Sequence, residues 1–260
     1  MSAVLNPLPP IHIRGPALRR ALIAGARRVI SRREALNKIN VFPVADGDTG
    51  SNLAFTLGNV LTGALSRRTP GAGDLLKRVG DDAIDGARGN SGAILAQFFT
   101  GVAEAVGVVR GIDFAAMSQA VRAGASSARS ALADPKEGTI LSVITAFAEA
   151  LEARTDITDA KLWFDKALQS ARRALAYTPQ QLPVLLKAGV VDAGAQGFVD
   201  MLEGIDEYLT SGQWNLTDSV LENRADLEAA QVHGDLSDED PEHRFCSECL
   251  LVGEGLDRAS

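Results

Sequence analysis

The stretch GARGNSGAILAQFFTGV, residues 86–102, combines the two features that decide the fold. A glycine-rich turn comes first, and Ile94, Leu95, Phe98 and Val102 follow at the spacing of one helix face. Apolar residues at this spacing form a single stripe on a helix with 3.6 residues per turn. The stretch therefore predicts a tight turn followed by a helix that buries one face.

The same helical periodicity continues on both sides, from residue 17 to residue 212. About eight apolar faces can be counted, and no convincing alternating strand precedes residue 244. The chain of 260 residues is 46% hydrophobic, which is enough to bury a substantial core. Only 5% of its residues are aromatic, and abundant alanine favours close helix packing. The predicted fold class is all-α, a bundle or barrel of helices.

The net charge of −7 is unevenly distributed along the chain. Residues 1–212 hold 23 basic and 21 acidic side chains, whereas residues 213–243 hold one base and nine acids. Such a polar stretch cannot repay its ordering entropy, so we expect an acidic linker at 213–243. Residues 244–260 turn apolar again and are expected to form the truncated start of a following domain. The predicted helical domain is therefore 1–212.

Prolines interrupt the N-terminus, and no run of about 18 apolar residues occurs, which predicts a cytoplasmic protein without integral membrane association. Cys246 and Cys249 are the only cysteines, so no disulfide framework is expected. With His243 they would supply three ligands of a zinc site that needs four. Two half-buried cysteines are the favoured interpretation, and a metal site completed in a longer chain stays open.

The predicted first helix is rich in arginine. A basic helix face can bind nucleic acid, but residues 1–212 are close to neutral, so a solvated face is the favoured interpretation and no nucleic-acid partner is expected. The arginines are Arg19, Arg20, Arg27, Arg28, Arg32 and Arg33.

Chemistry is concentrated first in NVFPVADGDTGSN, residues 40–52. Asp46 and Asp48 point the same way in an extended or turn-like backbone, where their charges repel. A hard divalent cation with oxygen ligands removes that repulsion. The alternative is that Asp-Gly-Asp only makes a turn, since both residue types favour turns. The residues that follow, ahead of the next helix, are Thr49, Gly50, Ser51 and Asn52.

Three more polar, glycine-rich stretches precede predicted helices. Residues 85–95 contain Gly89, Asn90, Ser91 and Gly92, and Ser91 is placed to cap the helix. Residues 134–143 place Gly138 and Thr139 at another helix start, and residues 187–198 place Asp192 at a helix boundary. Glycine before a helix N-terminus is typical of anion sites, although it also serves ordinary capping.

Four such loops can build one site if the helices run up and down, because alternate loops then lie at the same end. Helix N-termini and glycines would meet phosphate oxygens, while Asp46 and Asp48 would hold the counter-cation. ATP carries about four negative charges, so carboxylates can face it only through a metal, most plausibly Mg²⁺. The sequence thus predicts a site for ATP or ADP with magnesium.

Four segments in this order resemble the signature segments of the N-terminal nucleotide-binding domain of the fatty acid kinase family, the domain that binds ATP in that two-protein enzyme. They are LNKINVFPVADGDTGSNLAFTL, GARGNSGAILAQFFTG, KEGTILSVI and AGVVDAGAQGF. That domain is similar to the L subunit of dihydroxyacetone kinase. The resemblance covers residues from about 15 to 212 in the expected order, and HRFCSECLL resembles the start of the middle domain.

The resemblance implies an antiparallel barrel of about eight helices, with the nucleotide at one end and two Mg²⁺ ions. Asp46 and Asp48 match two metal ligands, and Asn40 is the nearest match to a third that is an aspartate in the dihydroxyacetone enzyme. The positions that match the phosphate surroundings are Thr49, Asn52, Ser91 and Thr139. Gly89, Asn90 and Gly92 would shape their loop, and Asp192 matches a position near the nucleotide.

The implied reaction transfers the γ-phosphate of ATP to a fatty acid that a separate lipid-binding subunit presents. Because the acceptor is a carboxylate, no general base is needed, and the three histidines, His12, His233 and His243, lie outside the four segments. No catalytic residue is therefore expected beyond the metal and phosphate ligands. Two alternatives stay open: a polyol kinase of the dihydroxyacetone type, and a nucleotide-binding module without catalysis. The sequence leaves open the oligomeric state, a homodimer included, and whether residues 1–260 are active alone.

Overall fold

The computed structural model describes residues 13–153 and 159–211. The predicted acidic linker and the apolar segment after it lie outside the described residues. Ten α-helices and one short 3₁₀ helix, Ala64–Ser66, are found in the described part, which confirms the all-α prediction. The helices are α1 Gly15–Ser31, α2 Arg33–Lys38, α3 Thr49–Thr62, α4 Ala72–Asp85, α5 Gly89–Val106, α6 Phe114–Ser130, α7 Ile140–Glu152, α8 Ala160–Gln181, α9 Pro183–Ala188 and α10 Ala193–Ser211.

Eight of these helices are long, and α2 and α9 are short connectors of 6 residues each. The long helices pack in the ring α1–α3–α4–α5–α6–α7–α8–α10, which α10 closes against α1. Successive long helices run in opposite directions, so α3, α5, α7 and α10 all begin at one end. We call this the motif end, because the four polar, glycine-rich stretches precede these helices. None of the described helices is both long and apolar enough to cross a membrane.

The opposite end, which we call the ribbon end, carries a feature that the sequence did not predict. Residues Ile13–Arg14 (β1) pair antiparallel with Gly111–Ile112 (β2), and Ile13 lies opposite Ile112. Two residues are too few for an alternating pattern, so the expectation of no strand before residue 244 was wrong here. The ribbon joins the start of α1 to the connection between α5 and α6.

The core contains the apolar faces that periodicity predicted. Phe198 on α10 lies 5.5 Å from Phe98 on α5 and 6.0 Å from Phe147 on α7, measured between ring centroids, both edge to face. This geometry is the favoured one for aromatic pairs. Leu162, in the first turn of α8, lies outside this core with 48% of its surface exposed.

Arg28 of α1 and Arg32, the C-cap that follows this helix, contradict the expected solvated face. Arg28 donates to Glu203, 2.6 Å away, and also pairs with Glu207, so it fixes α1 to α10. The Nε of Arg32 donates to Asp200 over 2.8 Å, and only 1% of the Asp200 side chain is exposed. These bonds close the ring of helices, because α1 and α10 are its first and last members.

Candidate functional site at the motif end

The starts of α3 and α5 lie against each other. Gly89 has a φ of +56°, and a Cβ placed there would lie 2.3 Å from Nδ2 of Asn52. A side chain larger than hydrogen would therefore collide with Asn52. The 40–52 and 85–95 stretches are thus brought together, and glycine at 89 is what permits the approach.

The starts of α5, α7 and α10 meet in the same way. A Cβ at Gly194 would lie 2.9 Å from the Ser91 hydroxyl and 3.4 Å from Cβ of Ile140. Asp192 connects two of these helices, because its carboxylate accepts backbone N–H groups of Ala195 in α10 and Ile140 in α7. All four predicted stretches therefore meet at the motif end.

The Asp192 carboxylate is buried, with 5% of the residue exposed. Its Oδ1 accepts from the Ala195 N–H over 2.7 Å. Burial raises the pKa of Asp192 to about 6, although the N–H groups of Ala195, Ile140 and Gly194 favour the charged form. The burial and these hydrogen bonds make Asp192 a cap that positions α7 and α10.

Asp46 and Asp48 both reach solvent at the mouth of the site. Partial desolvation raises the pKa of the Asp48 carboxyl, the Asn52 side chain lowers it by donating a hydrogen bond, and the charge of Asp46 raises it again. The two carboxylates are therefore close enough to repel. Asp48 also precedes α3 directly, and its backbone carbonyl accepts from the Asn52 N–H over 2.8 Å.

Asn40 lies behind this pair and is 5% exposed. Its Nδ2 donates to Oδ1 of Asp46 over 2.5 Å, and its Oδ1 accepts from the Thr49 hydroxyl over 2.8 Å. Thr49 is buried as well. The Thr49 hydroxyl, the Asn40 amide and the Asp46 carboxylate thus form one chain of hydrogen bonds, which orients Asp46.

Ser51 and Gly50 face inward, toward α2. The Ser51 N–H donates to Oδ1 of Asn37 over 3.0 Å, and Nδ2 of Asn37 donates to the Ser51 hydroxyl over 2.9 Å. Gly50 is buried against the backbone carbonyl of Arg33. These contacts fix the direction in which α3 leaves the site.

The predicted capping role of Ser91 is wrong. The helix α5 begins at Gly89 and its N-cap is Arg88, so Ser91 is the third helical residue and Asn90 and Gly92 also belong to the first turn. The helix begins three residues earlier than a Ser91 cap would place it, and its first residue, Gly89, has a positive φ that glycine tolerates. Asn90 is exposed, whereas Gly92 is buried.

At the start of α7, Gly138 and Thr139 are both buried. Thr139 is the N-cap, and its hydroxyl accepts from the Leu141 N–H over 3.4 Å and donates to the Lys136 carbonyl over 2.8 Å. Gly138 has a φ of +80°. The pair gives α7 its start, as the glycine-threonine pattern indicated.

Arg88 and Thr56 were not selected from the sequence. The guanidinium of Arg88 lies 4.7 Å from the ring centroid of Phe55, at the start of α5. The Thr56 hydroxyl accepts from the Arg88 N–H over 3.2 Å and donates to the Asn52 carbonyl over 2.9 Å. Arg88 could have been selected from the sequence because it is a basic residue within the glycine-rich segment GARGNSG.

The donor atoms at the mouth suit a hard cation. Carboxylate and amide oxygens are the ligands of Mg²⁺, which keeps waters and also binds phosphate oxygens. Among residues 13–153 and 159–211, no group of three or more histidine, cysteine or acidic side chains could hold a metal by itself.

Residues 43–207 match the model of the DAK2 domain, and the chain belongs to this family. Protein YloV of Bacillus subtilis is 32% identical over 238 residues, which are 88% of this chain and 42% of that protein. An uncharacterised protein of Staphylococcus haemolyticus is 31% identical over 249 residues, 95% of this chain and 45% of the relative. The chain thus spans less than half of the length of these relatives.

The fold resembles that of a solved kinase. The crystal structure of dihydroxyacetone kinase from C. freundii in complex with AMP-PNP and Mg²⁺ matches with a TM-score of 0.60 at 18% identity. The match covers 80% of this chain and 36% of that chain. The native form of the same enzyme matches with a TM-score of 0.58. This likeness shows that the described part shares its helical fold with part of that enzyme.

Proposed function

We propose that this chain is the ATP-binding domain of a two-protein fatty acid kinase. The acceptor is the carboxylate of a fatty acid that a separate lipid-binding subunit presents. The carboxylate oxygen attacks the γ-phosphorus of ATP, the bond to the β–γ bridging oxygen breaks, and acyl phosphate and ADP leave. The observation that carries the proposal is the meeting of four helix N-termini beneath Asp46 and Asp48.

Helix N-termini present unpaired backbone N–H groups and the positive end of the helix dipole to an anion. The first turns of α3 and α5 are in contact through Asn52 and Gly89. Backbone N–H groups of both helices can therefore donate hydrogen bonds to one polyphosphate. Arg88 adds a full positive charge beside them. This part of the site binds the phosphates by position and charge, which is what phosphoryl transfer requires.

Asp46 and Asp48 would hold magnesium, which would neutralise charge on the phosphates when bound. The charge of Asp46 raises the pKa of the Asp48 carboxyl, so a cation between this pair and the nucleotide would relieve their repulsion. Asn40 fits the role of a brace, because its amide nitrogen faces Asp46 and its oxygen is engaged by Thr49. We infer that Asn40 orients a ligand and does not itself bind the metal.

The nature of the acceptor rests on two observations. A fatty acid is already ionised at neutral pH, so its transfer needs no proton acceptor, whereas a polyol hydroxyl must lose a proton. No histidine lies in the four stretches of the motif end. These observations favour the fatty acid type over the polyol type.

The test is a comparison of acceptors with ATP and Mg²⁺ at fixed chain concentration. One sample contains a fatty acid with a lipid-carrying subunit, the second contains dihydroxyacetone with a polyol-carrying subunit, and the third has no acceptor. Hydroxylamine traps acyl phosphate as a hydroxamate, and ADP release measures turnover. We expect both products only in the first sample. ADP release in the second sample alone would establish a polyol kinase, and nucleotide binding without turnover in any sample would establish a non-catalytic module.

A further inference from the structure

The ribbon end gathers positive charge around a cavity of about 830 Å³. Arg14 of β1 and Arg110, next to β2, both line this cavity, and Asp74 is the acid among its lining residues. Arg68 is close by, because the backbone carbonyl of Thr69 lies against Gly15. The members of this set, which we call the arginine cluster, are Arg14, Arg19, Arg20, Arg68 and Arg110.

The arginine cluster has an excess of positive charge within the described part of the chain. None of its members forms an ion pair with an acid of residues 13–153 or 159–211, whereas Arg28 and Arg32, at the other end of α1, do. Desolvation lowers the pKa of Arg19, and the charges of Arg68 and Arg20 lower it further. The Nε of Arg19 is buried without a hydrogen-bond partner. Like charges held this closely favour an anionic occupant.

The end of α10 indicates which anion is available. Arg32 pairs with Asp200 and Arg28 pairs with Glu203, so the two helices are antiparallel and α10 runs toward the start of α1. Its last residue, Ser211, therefore lies beside the half of α1 that begins at the ribbon end. The first acid of the acidic stretch, Asp218, follows seven residues later, a distance of at most about 25 Å in extended chain.

We propose that the acidic stretch 213–243 of this chain docks on the arginine cluster. The stretch holds nine acids and one base, and the cluster holds five positive charges beside Asp74. Their covalent connection makes the association intramolecular, which raises the effective concentration to about the millimolar range. A mainly electrostatic contact of this kind needs little apolar surface.

The experiment places a nitroxide within the acidic stretch of the whole 260-residue chain. Cys246 and Cys249 are changed to serine, and Ser237→Cys carries the label. Backbone amide signals are then compared with the label oxidised and reduced, at an ionic strength of about 0.1 M and of about 1 M, where the screening length falls from about 10 Å to about 3 Å. We expect amides around Arg14, Arg68 and Arg110 to lose most of their intensity at the lower salt and to recover it at the higher salt.

A matched pair of variants tests whether the arginines cause the effect. Arg14→Gln/Arg110→Gln removes two charges from the cluster, and Arg78→Gln/Arg173→Gln removes two from exposed positions on α4 and α8. The first variant is expected to abolish the intensity loss and the second to retain it, while unchanged amide shifts elsewhere verify that both fold. Equal effects in both variants, or uniform or absent broadening, would overturn the proposal. Broadening of an unlabelled chain mixed with a labelled one would also overturn it, because a second copy would then be the occupant.

Discussion

The motif end and the ribbon end both collect charges of one sign, but they hold them differently. At the motif end, Asp46 is oriented by Asn40 and Thr49, and Asp192 accepts three backbone N–H groups. At the ribbon end, Arg19 has a buried Nε without a partner, and Arg14 and Arg110 extend from a two-stranded ribbon and its connection.

This difference indicates different occupants. Short side chains fixed by helix starts can position a small ligand to within a fraction of an ångström, as catalysis requires. Long arginine side chains adapt to an extended anion, where total charge matters more than position. The effects of substitution should therefore be large and specific at the motif end, and small and salt-dependent at the ribbon end.

The largest expected effect is that of Asp48→Asn on phosphoryl transfer. The substitution keeps the shape of the side chain but removes one of the two charges that would hold the cation, so turnover should fall by orders of magnitude. The measurement is hydroxamate formation with the lipid-carrying subunit, beside a thermal melt. Asp81→Asn, which removes an exposed carboxylate paired with Lys77 on α4, is the control. Near-normal turnover in Asp48→Asn would leave only a turn-forming role for the pair.

The second prediction is that nucleotide binding depends on a divalent cation. Without it, Asp46 and Asp48 would repel the phosphates, so calorimetry should detect ADP binding with Mg²⁺ and lose it in EDTA. Anion binding by the arginine cluster at the ribbon end should not depend on a divalent cation. Undiminished affinity in EDTA would contradict the assignment of both aspartates as metal ligands.

A third effect concerns Asp192 and the pH dependence of stability. The pKa of Asp192 is about 6 in the folded protein, above its value in the unfolded chain, so the folded state binds the proton more tightly. Its contribution to stability is present at low pH and is lost as pH rises through about 6. The free energy of unfolding of Asp192→Asn minus that of the wild type should therefore rise by about 2 kcal/mol from about pH 4 to about pH 7. Denaturant unfolding at several pH values measures this, and a constant difference would contradict it.

A fourth prediction tests whether Asn40 orients Asp46 or itself binds the metal. Asn40→Asp replaces the amide nitrogen that faces Asp46 with a second negative oxygen. If Asn40 is a brace, Mg²⁺-dependent nucleotide affinity should fall by about tenfold or more, as for other partners that orient metal ligands. If Asn40 bound the metal directly, the added charge would increase the affinity. Calorimetric titration of the variant distinguishes the two results, with Asp81→Asn as control.

The smallest effect is expected from removing residues 213–260. The acidic stretch has too little apolar surface to support the core, so the helical fold should persist. We expect the melting temperature to change by less than about 4 °C, roughly the shift caused by 1 kcal/mol in a domain of this size. The change should disappear in high salt. A larger, salt-independent fall would mean that the segment packs against the helices through apolar contacts.

Much of the fold was predictable because helical periodicity is a local property. The face of Ile94, Leu95 and Phe98 was readable from residues three and four apart, and all three are buried. Leu162 is exposed in the first turn of α8, so an apolar residue near the end of a helix can still lie beyond the core. The β-ribbon could not be predicted, because a two-residue strand has no period and depends on a partner almost a hundred residues away.

The sequence by itself determined that the chain is all-α, that polar glycine-rich stretches precede four of its helices, and that Asp46 and Asp48 form an acidic pair. Only the tertiary structure decided that these stretches meet at one end, that Asn40 holds Asp46, and that Arg28 and Arg32 bind α10 while other arginines gather at the ribbon end. The physical reason is the distance along the sequence over which each interaction acts. Turn formation and helix periodicity depend on neighbours within a few residues, whereas the partners of Arg28 and Asp192 are set by how α1, α7 and α10 close the ring.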